Sequence, residues 1–179
     1  MTNPKQQLEA LGRMDASAFQ AADKLPLVLV LDNIRSGLNV GSLFRTSDAY
    51  RVQEIRLCGI TAQPPQNDIK KTALGATESV AWSYWETTAA ALDDLRANGY
   101  RVAAIEQAEQ THMLDTFDPG NTPWALVLGN EVRGVDQAVV DSADAVLELP
   151  QFGTKHSLNV SVCGGIVVWE WWRKCRPFG

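Results

Sequence analysis

The sequence has little of what builds a metal or redox centre. Its 179 residues include three cysteines (Cys58, Cys163 and Cys175) and two histidines, and no two cysteines stand in a CxxC pair. That spacing excludes the common zinc and disulfide frameworks, so no metal is expected. The odd cysteine count and the polar residues 1–9, which lack the apolar stretch of a signal peptide, predict a reducing, cytoplasmic setting. Long hydrophobic runs are missing as well. The apolar run near the C-terminus, residues 166–169, falls far short of the ~20 residues a membrane span needs. Positive charge is scarce, with 16 Lys and Arg against 21 Asp and Glu and a net charge of −5. A chain with that balance does not coat nucleic acid indiscriminately, because such binding comes from neutralising phosphates. Neither GxGxxG nor GxxxxGK[ST] occurs, which excludes the usual dinucleotide and P-loop sites.

What remains is a globular composition, 45% hydrophobic and 21% charged. One domain is expected at this length. Residues 4–22 predict a leading helix with Leu8, Leu11 and Phe19 on one stripe. Residues 27–31 are continuously apolar, as in a strand buried on both faces of a parallel sheet. Further strands are predicted at 54–60, 80–85, 100–105, 124–128 and 145–149. Helices are predicted at 40–51, 68–74, 88–98, 135–142 and 157–174. The alternation predicts an α/β domain, a mostly parallel sheet flanked by helices. Ligands of such sheets gather beyond the carboxyl ends of the strands.

Three segments at those ends carry unusual residues. The first runs from Asn33 through Arg35, Asn39, Gly41 and Arg45 to Thr46. Glycines there permit close backbone approach, and Arg45 can grip phosphate in a bidentate way. It reads equally as a well-made turn with Asn39 as N-cap and Arg45 as a solvated helix residue. The second is Leu128-Gly129-Asn130-Glu131 with Gly134, where a polar pair ends an apolar strand. Its plain alternative is an acidic helix N-terminus. The third runs from Leu149 and Pro150 through Gly153, Lys155, His156, Ser157, Leu158 and Asn159 to Ser161. Ser157 can be a simple N-cap there, while Asn159 inside a helix goes against propensity. Gly164 and Gly165 each cost about 1 kcal/mol in a helix, which predicts a close approach by another backbone or a ligand.

Taken in order, these segments resemble the three motifs of the SpoU/TrmH family of SPOUT methyltransferases. The first motif is matched by Asn33, Asn39-Val40-Gly41 and Arg45-Thr46, and the second by Gly129, Glu131 and Gly134. The third is matched by Pro150, Gly153 and Ser157 to Ser161, and the likeness covers residues 26–172. Gln151-Phe152 departs from the pattern, since many members carry Met after the proline. The resemblance implies a single SPOUT domain over 26–179 with a C-terminal trefoil knot, preceded by a helical extension at 1–25. No separate RNA-binding domain is expected.

The resemblance also implies a homodimer that transfers a methyl group from S-adenosylmethionine to a ribose 2′-hydroxyl in tRNA or rRNA. The cofactor pocket is then lined by Leu128, Gly129, Asn130, Leu149, Pro150, Ser157 and Leu158. Arg45, Asn39, Glu131, Ser157 and Asn159 are the catalytic candidates, and Arg35, Arg45, Lys155 and His156 the RNA-binding ones. Arginine is a poor base, with a pKa above ~12, so Arg45 is read as orienting the hydroxyl or a phosphate and stabilising oxyanion charge. The alternative is a catalytically silent knotted factor for RNA binding or ribosome assembly. Trp169, Trp171 and Trp172 read as interface or core residues rather than base-stacking ones. The acidity is also local: residues 86–148 hold 12 Asp and Glu against 3 Lys and Arg, leaving the rest of the chain basic.

Overall fold

The computed structural model describes residues 2–6, 12 and 14–175. Seven strands form one sheet: β1 (Leu25–Asp32), β2 (Val52–Cys58), β3 (Trp82–Trp85), β4 (Arg101–Ile105), β5 (His112–Met113), β6 (Trp124–Leu128) and β7 (Ala145–Glu148). Their order is β3-β2-β1-β6-β4-β7-β5, and every pairing is parallel. The helices are α1 (Ala16–Ala21), α2 (Gly37–Ala49), α3 (Asn67–Ala73), α4 (Ala76–Ser79), α5 (Thr88–Ala97), α6 (Gln137–Ser142) and α7 (Val160–Cys175).

The period-two alternation of a strand explains the two cores. On β1, Leu25, Leu27, Leu29 and Leu31 pack with Leu43 and Phe44 of α2 and with Val167, Val168 and Trp171 of α7. Val28 and Val30 point the other way, toward Leu92 and Leu95 of α5 and Val139 of α6. Both faces of the central strands are thus covered, which is why residues 27–31 read as an unbroken apolar run. Trp171 lies in the core edge-on to Trp124, with ring centroids 5.8 Å apart.

Several expectations are corrected. The leading helix is confined to Ala16–Ala21, with Asp15 as its N-cap; residues 4–6 are irregular, and Leu8 and Leu11 lie outside the described residues. The sequence reading missed the short α4 and the two-residue β5. Helix α2 starts earlier than expected, because Ser36 rather than Asn39 is its N-cap and accepts the Asn39 N–H at 3.3 Å. Helix α7 starts later, at Val160. Asn159 Oδ1 accepts the N–H groups of Ser161 and Val162 at 2.9 and 3.4 Å, so Asn159 caps the helix and Ser157 stays in the preceding loop. The close approach expected at the glycine pair exists at Gly164 alone and comes from side chains. A Cβ there would sit 2.3 Å from Leu43 Cδ2 and 3.0 Å from Leu128 Cδ1, whereas one at Gly165 would meet nothing within 4 Å.

One buried carboxylate ties the end of β1 to the starts of α5 and α6. Asp32, at the end of β1, accepts hydrogen bonds from Asn33 Nδ2 (2.8 Å), Thr88 Oγ1 (2.5 Å) and the Asp136 N–H (3.0 Å). Three chain segments are thereby fixed around the carboxyl end of the central strand.

Candidate active site

The three motif loops meet beyond the carboxyl ends of β1, β6 and β7. Glu131 is the junction between the first two. Its carboxylate accepts the backbone N–H groups of Ser36 (2.9 Å) and Arg35 (3.2 Å), and the side-chain amide of Asn39 donates to it at 3.3 Å. Asn39 Oδ1 in turn accepts from Asn159 Nδ2 at 3.2 Å, which brings in the third loop. The shifts in helix start matter here. Capping α2 with Ser36 frees the Asn39 side chain for this chain of contacts, and capping α7 with Asn159 sets its amide beside Asn39.

Burial alone would raise the Glu131 carboxyl. The hydrogen bonds from the Ser36 amide, its own backbone, the Arg35 amide and Asn39 outweigh that and hold its pKa below the usual range. A folded-state pKa below the unfolded one gives stability that is complete above the ordinary glutamate value, ~4.3. It is lost as pH falls through the depressed folded value. Acid titration of unfolding stability should therefore show a steeper fall below about pH 4 in the wild-type chain than in Glu131→Gln. Equal slopes would show that Glu131 does not clamp the loops.

Asn130 braces the second loop. Its Nδ2 donates to the Asn33 carbonyl at 2.7 Å, and its Oδ1 accepts from the N–H groups of Val132 and Arg133. The backbones of Asn130 and Gly134 exchange two hydrogen bonds of 2.9 Å. The turn is so tight that a Cβ on Gly129 would lie 2.2 Å from the Gly134 carbonyl carbon and the Val135 nitrogen. Gly134 itself has φ +71, a conformation glycine adopts without strain.

Beside this turn opens a cleft of about 1210 Å³. Of the residues expected to hold a cofactor, Leu128, Gly129, Asn130, Leu149, Ser157 and Leu158 line it, and Pro150 does not. Glu131, Asn159 and His156 line it too, while Arg35 and Lys155 are exposed outside it. Arg45 stands apart, exposed beside a smaller hollow with Ser42, Thr46, Tyr50 and Lys71. It makes no hydrogen bond or ion pair among the described residues.

The cleft lining carries five carboxylates (Glu106, Glu109, Glu131, Asp141 and Glu148) and one arginine, Arg133. Such a site favours a cationic ligand and disfavours a phosphate-bearing one. Its one thiol, Cys163, is pushed up to about 11 by burial and by Glu106, so it is no nucleophile near neutral pH. The described residues contain no group of three or more His, Cys, Asp or Glu able to hold a metal, and no helix among them is long and apolar enough to cross a membrane. Sequence reasoning missed Asp32 and Glu106. The only available signal was a carboxylate ending an apolar strand.

The sequence signature of the SpoU rRNA Methylase family matches residues 26–169. A Bacillus subtilis (strain 168) protein named for the TrmH family of tRNA/rRNA methyltransferases, YacO, is 29% identical over 162 residues, 90% of this chain and 64% of its own. A Staphylococcus haemolyticus protein named for the same family is 30% identical over 155 residues, with 87% and 61% covered. The chain thus spans less than two thirds of the length of these curated relatives. Among solved structures, the AdoMet-bound rRNA methyltransferase of Sinorhizobium meliloti superposes with a TM-score of 0.78 at 27% identity, over 86% of this chain and 61% of that one. A structure described as giving insight into 2-OH methylation of C/U34 on tRNA has a TM-score of 0.75 at 25% identity, over 85% and 97%.

Proposed function

This chain belongs to the SpoU rRNA methylase family, and we propose that it is a cytoplasmic, S-adenosylmethionine-dependent methyltransferase acting on a ribose 2′-hydroxyl of tRNA or rRNA. The observation that carries the reading is the Asn159–Asn39–Glu131 chain, which joins all three motif loops at the edge of one acid-rich cleft. The cofactor is a sulfonium cation and fits that lining. Leu128, Leu149 and Leu158 offer apolar walls to its base, and Gly129 leaves the turn free of side chain.

Bound cofactor supplies an electrophilic methyl group. Transfer of that methyl group to the 2′-oxygen would leave the cofactor as its neutral thioether and pass the hydroxyl proton to water. The loops position the acceptor in line. Arg45 orients the hydroxyl or an adjacent phosphate and stabilises negative charge as it develops on oxygen. Residues 26–179 form the methyltransferase domain in this reading, with the segments after β6 and β7 making a trefoil knot.

A homodimer completes the site. Val162, Gly165, Ile166 and Trp169 follow helical i, i+3, i+4, i+7 spacing on α7, and the three side chains are exposed. Trp169 touches Tyr50 at 5.9 Å, and Tyr50 borders the hollow of Arg45. A second copy seated on this stripe would meet Arg45, which does not line the cleft of its own protomer. Ile166→Asp should convert the dimer to monomer in analytical ultracentrifugation and abolish transfer. A dimeric Ile166→Asp would place the interface elsewhere.

Mapping ribose methylation in total tRNA and rRNA from cells with and without the gene tests the activity and names the nucleotide. Loss of a single 2′-O-methyl mark is expected. An unchanged methylation map would favour the silent RNA-binding factor.

A further inference from the structure

Glu106 lines the cleft but belongs to none of the three motifs. It follows Ile105, the last residue of β4, whose partners are Leu128 on β6 and Leu147 on β7. The Glu106 N–H donates to the Leu147 carbonyl at 3.2 Å. Glu106 therefore sits between the two strand ends that carry the proposed adenosine walls, Leu128-Gly129 on one side and Leu149 on the other.

Its carboxylate is held in place. Oε1 accepts the Gln107 N–H at 2.9 Å, and Oε2 accepts the Val135 N–H at 2.9 Å. Oε2 also occupies the space over Gly134, where an added Cβ would stand 2.2 Å away. Two backbone donors use half of the roughly four acceptor positions of a carboxylate. The others have no donor among the described residues, and the side chain lines the cleft. A carboxylate with paired free acceptor positions, at the carboxyl end of a parallel strand, matches two adjacent hydroxyls.

Resting on the cofactor reading above, we propose that Glu106 binds the 2′,3′-diol of the cofactor's own ribose and makes the cleft selective for a ribonucleoside. The neighbours decide between this diol and the cofactor's amino group. Glu106 lies between the two walls assigned to the base, and the ribose is the part attached to that base. Glu106 thus selects the cofactor without taking part in the transfer step.

Calorimetry on the full chain tests this with S-adenosylhomocysteine, its 2′,3′-dideoxyribose analogue and 5′-methylthioadenosine, which has no ammonium group. The wild-type protein should bind the dideoxy analogue about ten- to a hundredfold more weakly than the parent, the range for hydrogen bonds to a charged group. In Glu106→Gln that gap should shrink to about threefold or less, and 5′-methylthioadenosine should lose affinity in parallel. Glu106→Asp keeps the charge but withdraws it by one methylene, and should shrink the gap similarly. A residue that only braced the Gly134–Val135 turn would weaken all three ligands equally, leaving the wild-type gap, and that result overturns the proposal. Equal loss for S-adenosylhomocysteine and its dideoxy analogue, with 5′-methylthioadenosine unaffected, would assign Glu106 to the ammonium instead and also overturn it. If the wild-type chain bound none of the three, the cofactor reading would fall, and this assignment with it.

Discussion

Replacing Arg45 with alanine should lower the rate of methyl transfer by about 10²- to 10³-fold, the cost of removing one donor to a developing oxyanion. S-adenosylmethionine affinity should stay within about twofold of wild type. The separation follows from location. Arg45 is exposed, borders a hollow with Tyr50 and Lys71, and does not line the cofactor cleft. Arg45→Lys should recover little, because an ammonium lacks the planar fork that grips phosphate or hydroxyl at two points. Single-turnover kinetics with excess RNA isolates the transfer step from binding. Normal turnover by Arg45→Ala would remove this residue from the mechanism. A parallel loss of cofactor affinity would show that its place outside the cleft had been misjudged. The dimer expectation bears on the same residue, since mixing Arg45→Ala chains with cofactor-defective chains should restore activity if Arg45 serves its partner's cleft.

Gly129→Ala should severely damage the proposed cofactor site. The new methyl would stand 2.2 Å from two backbone atoms, the Gly134 carbonyl carbon and the Val135 nitrogen. No rotamer relieves a clash between main-chain segments, so the turn must move. Overpacking of this kind costs about 1–3 kcal/mol, and the displaced turn carries Asn130 and Glu131. Denaturant unfolding should show the stability loss, and calorimetry should show no measurable S-adenosylmethionine binding. Gly165→Ala is the matched control for protomer stability alone, since its added Cβ meets nothing within 4 Å in the protomer. Full cofactor affinity in Gly129→Ala would mean that the turn is not part of the cofactor cradle.

The strands were legible because burial on both sheet faces leaves a direct mark. Residues 27–31 and 124–128 are apolar throughout, and they became the central strands β1 and β6. The helix boundaries were less legible. Asn39 and Asn159 both read as polar residues at a helix start, and local chemistry cannot say which of several cap-forming residues takes the cap. Ser36 took it on α2, and Asn159 took it on α7. Those choices depend on what each freed side chain meets across the sheet. The leading helix was overextended for a related reason. Short helices owe their length to tertiary packing, and in α1 only Phe19 is buried.

The motifs, their order and their attachment to strand ends are properties of the sequence, and they brought the family, the α/β class and the candidate site residues into view. Length and charge set the outer limits, since a chain with net charge −5 needs a local basic patch to meet RNA. Tertiary structure alone decided how those residues act on each other. Glu131 bonds the Ser36 amide, 95 positions away, and Asn159 bonds Asn39, 120 positions away. Asp32 and Glu106 look ordinary in sequence, and only folding surrounds Asp32 with the Asn33 amide, the Thr88 hydroxyl and the Asp136 N–H, and Glu106 with the Gln107 and Val135 N–H groups. A hydrogen bond or a backbone clash depends on distances of a few ångström between segments far apart in the chain, and only the packed sheet sets those distances.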